Sequence, residues 1–168
     1  MYTYWIPASP SWEESLEDAP PSAACAGRGV CRPARRVHSV RGLLASKRVG
    51  TPLSAMCELE GSTRHLVVTT MQGDTFSEVL VDATTGKVAT VEAITNGEVL
   101  TAAIAQRAVM VKARTSLRAV VESVLTAHPG FRALRVVPTL HGAQPVAEVI
   151  LVKHGTVTRV VEPLDEGR

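Results

Sequence analysis

The sequence predicts an α+β fold built from two successive copies of a helix followed by β-hairpin strands, and three observations support it. The segment "SVRGLL" at Ser39 returns as "SLRAVV" at Ser116, an offset of roughly 77 residues, and "TP" at Thr51 returns as "HP" at His128. Helical phase returns with it, since Val40, Leu43 and Leu44 stand at i, i+3 and i+4 and so do Leu117, Val120 and Val121. Each of these segments is followed by β-rich runs divided at glycines.

The elements follow in order. Residues 1–37 are rich in Pro, Ser, Ala and Gly and hold no sustained period of 2 or 3.6, so they are read as a disordered or atypical tail. From residue 38 the first copy gives a helix, then strands near Leu53 to Glu60, Arg64 to Met71, Thr75 to Asp82 and Lys87 to Glu92, separated at Gly61, Gly73 and Gly86. This copy is expected to end at residue 96 and the second to occupy residues 97–168. The second opens on a connecting helix, "GEVLTAAIAQRAVMVKA", expected to bury Leu100, Ile104, Ala108 and Val111. Its duplicated helix extends the stripe through Val124 and Leu125, and strands follow near Phe131 to Pro138, Val146 to Lys153 and Thr156 to Val161. His154-Gly155 reads as a tight turn that requires positive φ.

Composition limits the function classes. The chain has 168 residues, 45% of them apolar and 20% charged, with a formal net charge of +2, which is too small to imply a nucleic-acid partner. An acidic cluster at Glu13, Glu14, Glu17 and Asp18 is followed by a basic block from Arg28 to Arg48, which reads as a solvated face. No apolar run reaches the 18 or so residues of a transmembrane helix. The N-terminal text also lacks the basic, apolar, small-residue order of a secretory signal.

Catalytic and metal-binding patterns are not legible. Cys25, Cys31 and Cys57 form no C-x-x-C pair and have no histidine at metal-ligand spacing, so no metal, cofactor or catalytic residue is assigned. A Cys25–Cys31 disulfide would require an oxidising compartment. His38, His65, His128, His141 and His154 are scattered through a helix start, a strand and turns. Glu78 and Asp82 share one face of a strand at about 13 Å, too far for a paired-carboxylate glycosidase site.

The stretch "SEVLVDATTGKVATVEAI", from Ser77 to Ile94, raises the question of a phosphate-binding loop. A Walker loop needs Gly-x-x-x-x-Gly-Lys-Ser/Thr between strand and helix, whereas here Val81 takes the first glycine position and Lys87 leads into Val88 of a second strand. A hairpin turn fits better, with Asp82 accepting backbone N–H bonds and Gly86 in the left-handed conformation.

The segment "FSEVLVDATTGKVATVEAI" resembles the C-terminal hairpin of PepSY domains. The run from Pro52 to Glu60, "TTMQGDTFSEV" and "LTAAIAQ" are similar to small bacterial envelope proteins that carry two such domains in tandem. The resemblance begins near His38 and continues to the C-terminus. It implies a helix on a curved antiparallel sheet, twice, in a periplasmic or secreted protein. Because PepSY domains also occur in propeptides of thermolysin-like peptidases, it further implies a non-enzymatic protein that binds or regulates a peptidase or another envelope protein. The chain departs from that pattern in lacking both a His-Glu-x-x-His motif and an export signal. A small-ligand binder using the concave sheet face is the alternative, and an enzyme the third reading.

Overall fold

Residues 39–60 and 63–165 are described by the structure, a computed structural model. The tail read over residues 1–37, with Cys25 and Cys31, lies outside them, as does His38. The elements are α1 (Ser39–Ser46), β1 (Thr51–Glu60), β2 (Thr63–Gln72), β3 (Thr75–Asp82) and β4 (Val88–Ile94), then α2 (Gly97–Met110), α3 (Leu117–Ala127), β5 (Arg132–His141), β6 (Gln144–Lys153) and β7 (Thr156–Pro163). All seven strands overlap the runs predicted by alternation and turn glycines. The β6–β7 turn has the predicted positive φ, 48° at His154 and 74° at Gly155.

The strands form one sheet in the order β4-β3-β2-β1-β5-β6-β7, and every neighbouring pair is antiparallel. Its seam is the short β1–β5 pairing, Ala55 opposite Val136 and Met56 opposite Arg135. Cross-strand partners share a face, so one row of side chains runs through the whole sheet: Val91, Val79, Val68, Ala55, Val136, Val149 and Val160. The five central members are buried, Val160 packs partly against them, and Val91 at the β4 end is 47% exposed.

Helices α1 and α3 cover this row. Leu43 of α1 and Val120, Val121 and Val124 of α3 join the same core as Val68, Val79, Val136 and Val149. Close approach is possible because α1 carries Gly42 where it meets β2: a Cβ there would lie 3.1 Å from Leu66 Cδ1. Burial of Leu117, Val120, Val121 and Val124 follows the predicted stripe, and Leu125 packs at its margin. In α1 only part of the stripe is inward, because Leu44 is 40% exposed.

The connecting helix differs from expectation. Ile104 and Val111 are 52% and 72% exposed, Ala108 is exposed too, and the buried residues are Ala103 and Val109. Apolar or small side chains occur nearly all round α2, so periodicity selects no face; tertiary packing makes the choice. Leu100, Ala103 and Met110 pack with Leu53, Met71, Phe76 and Ile94. Phe76, Met71 and Ile94 alternate with the Val79, Val68 and Val91 row, so Leu100 and Ala103 of α2 meet one end of the opposite face, while Val109 near the C-terminus of α2 joins the main core. An ion pair of 2.7 Å between Arg107 and Asp74 of the β2–β3 turn accompanies that packing.

Candidate functional site

The β3–β4 turn holds its own carboxylate. Asp82 Oδ1 accepts hydrogen bonds from the Thr85 N–H at 2.6 Å, the Thr84 N–H at 2.8 Å and the Thr85 hydroxyl at 3.1 Å. The Gly86 N–H donates to the Asp82 carbonyl at 2.8 Å, and Gly86 closes the turn at φ 71°. The bonds from Thr85, then the one from Thr84, hold the Asp82 carboxyl below its ordinary pKa. Donors that a phosphate would need are therefore directed at Asp82, and the turn acts as a hinge between strands.

The histidines stay apart. His65 lies in β2 opposite Asp82 in the strand register. His128 caps α3, its Nδ1 2.9 Å from the Val124 carbonyl and its ring edge-on to Phe131. His141 ends β5, and His154 sits in the β6–β7 turn. Cys57, a free and half-buried thiol in β1, is pushed up in pKa by burial, with Arg64 and Arg132 opposing and Glu58 assisting. Such a thiol stays protonated at neutral pH, which makes it a poor nucleophile. Among the described residues, no group of three or more His, Cys, Asp or Glu side chains is placed to hold a metal ion. No helix among them is long and apolar enough to cross a membrane.

Surfaces are more distinctive than clefts. Across the face opposite the main core runs a second row: Thr90, Leu80, Val67, Met56, Arg135, Ile150 and Arg159. Away from the α2 end this face carries mixed side chains, including an ion pair of 2.6 Å between Arg159 and Glu148. On the same face Glu78 and Glu92 stand directly opposite each other. Burial, then the charge of Glu58, then that of Glu92, push the Glu78 carboxyl up in pKa. Like charges paired across strands destabilise a sheet, and this pair lies at its β4 edge.

Edge strand β4 is exposed from Val88 to Ala93, with only Ile94 partly covered. Beside it, between α1 and the β3–β4 turn, lies a groove of about 880 Å³ lined by Leu44, Ala45, Val49 and Val88 together with Arg48 and Lys87. A second cavity of about 630 Å³ opens between the end of α1, the start of β1 and the start of α3; Leu43, Met71, Met110 and Leu117 form apolar wall, and Lys47 and Arg118 contribute cations. Arg118 is also bonded to Glu122 at 2.8 Å.

The sequence places Leu44 in a helical stripe, Arg48 in a basic block and Lys87 and Val88 at a hairpin turn, but does not bring them together, and Val91 is not singled out. The absence of Pro and Lys between Val88 and Ile94 was visible, but edge status depends on which strands meet at the seam. Comparisons with known proteins give little to transfer: no protein-family model and no curated protein matches the chain. Among solved structures, the crystal structure of a candidate lipoprotein from Clostridium difficile 630 is similar at TM-score 0.40 and 13% identity, over 76% of this chain and 94% of that one.

Proposed function

We propose that the chain is a non-enzymatic, PepSY-like interaction module of the bacterial envelope that binds or restrains a peptidase or another protein. The carrying observation is that α1 and α3 cover one side of the sheet, while the β4 edge from Val88 to Ala93, together with Met56, Arg135 and Arg159 on the other side, is exposed. Such edges and half-covered faces suit recognition of extended chains. The repeat reading, residues 38–96 and 97–168, is supported by chain order, since α1 and α3 each precede an antiparallel meander and β1 and β5 are neighbours at the seam. The Asp82–Gly86 hairpin supports the PepSY resemblance by using its Thr-Gly-Lys text as a structural turn.

Immobilised full-length protein should capture a protein from bacterial envelope extract and inhibit any peptidase recovered, while hydrolysing no peptide, ester or phosphate substrate above background. Turnover that disappears when one histidine is changed would replace this reading with an enzyme. The apolar cavity with Lys47 and Arg118 supports a second reading, a small-ligand binder. In that case one anionic, amphipathic compound class should raise the melting temperature and no protein should be captured.

A further inference from the structure

We infer that β4 is the docking edge, and that its occupant is an extended segment of another protein with apolar residues on the α1 side, a Lys or Arg on the opposite side and an acidic residue near one end. The inference rests on the interaction-module reading and specifies its surface.

Three observations converge on this occupant. The two sheet edges are unequal: at β7, Val160 packs into the core row, Arg159 occupies mid-strand and Pro163 ends it, whereas the β4 counterpart Val91 is 47% exposed. Lys and Pro are the usual protection of an edge strand, and β4 contains no Pro, Lys or Arg, its one charge being Glu92. A strand added to β4 would satisfy its outward N–H and C=O groups and project alternate side chains to the two faces. On the core-row side they would meet exposed Val91 and, at the groove, exposed Leu44 and Val88 beside Arg48 and Lys87. On the other side they would meet Glu92, whose repulsion with Glu78 a cation would relieve.

Charge also argues against a second copy as the occupant. Antiparallel pairing of two β4 strands about Val91 would set each Glu92 opposite Thr90 and carry further glutamates onto the face that already holds Glu78 and Glu92.

The test uses full-length protein and fluorescent nonapeptides in which valine alternates with lysine and threonine, with aspartate at one terminus or the other. One of the two should bind, and amide exchange should slow along residues 88–94. Val91→Lys, which charges the edge at an exposed position, should weaken binding by at least about tenfold without lowering the melting temperature, whereas Val161→Lys on β7 should leave it unchanged. Glu92→Lys should reverse the preference in favour of a peptide carrying glutamate in place of lysine, an outcome that loss of folding cannot imitate. Equal effects of Val91→Lys and Val161→Lys, failure of both peptides, or edge protection in the free protein from a second copy or from residues 1–38 would overturn the assignment. If a partner captured from envelope extract still binds Val91→Lys, the edge is wrong while the interaction role stands; if wild type captures nothing, the role itself falls.

Discussion

Val121 and Glu122 are adjacent in α3 but face opposite environments. Val121 is fully buried in the main core, and Glu122 is exposed in an i,i+4 pair with Arg118. Val121→Asp would bury an unpaired carboxylate and should cost about 3 kcal/mol or more, while Glu122→Ala should cost about 0.5 kcal/mol or less. Equal midpoint shifts in urea would reject the helix register. The carboxylates of β3 make a pH test of opposite sign. Asp82 has a folded pKa below its unfolded value, so its stabilisation is present at neutral pH and is lost as pH falls below about 3.9 and through the folded value. The stability gap between wild type and Asp82→Ala should therefore close towards acid pH. Glu78 has a raised folded pKa, so its ionised form opposes folding at neutral pH and that penalty disappears as pH falls through the folded value. Glu78→Gln should stabilise by about 0.5 kcal/mol at pH 7, an effect kept small by solvent screening, and by nothing measurable well below about pH 4.3.

Elements were legible wherever local chemistry and tertiary demand agreed. Each strand of the sheet alternates strongly or ends at a residue suited to its turn, and α3 begins at Ser116, whose side chain accepts the Ala119 N–H at 3.2 Å. Ser116→Ala should cost about 1 kcal/mol through loss of that cap, and a loss near zero would mean that Thr115 or water replaces it. Where several faces of an element were equally apolar, the sequence left the choice to packing: α2 buries Ala103 and Val109 and exposes Ile104. The docking edge was hidden for a different reason. In the sequence Val88 and Val91 are simply residues of a predicted strand, and the position of β4 at the end of the sheet leaves them in solvent. Gly50 belongs to the same category of tertiary information, since a Cβ there would sit 2.5 Å from the Met71 carbonyl oxygen, a contact between distant segments.

At the scale of the whole molecule, the organisation bears on cooperativity. A domain of about 60 residues buries only about 60% of the surface its unfolded chain exposes, so either half of this chain would be marginal alone. Here the halves share both a sheet and a core: β1 hydrogen-bonds to β5, and Leu43, Val79 and Val81 lie in one cluster with Val121, Val149 and Leu151. Unfolding one half would strip apolar cover from the other, which couples their stabilities. Thermal and urea unfolding should accordingly show a single transition, with calorimetric and van't Hoff enthalpies in agreement. Leu43→Ala in α1 and Leu151→Ala in β6 make the test specific, because the two residues lie in different halves and both are essentially inaccessible to solvent. Each should cost about 2–5 kcal/mol, and each should move the same single transition when circular dichroism and the methyl resonances of the opposite half are followed together. A variant that melts its own half while the other retains its original midpoint would mean that the β1–β5 seam joins two independent domains and the shared core contributes little coupling.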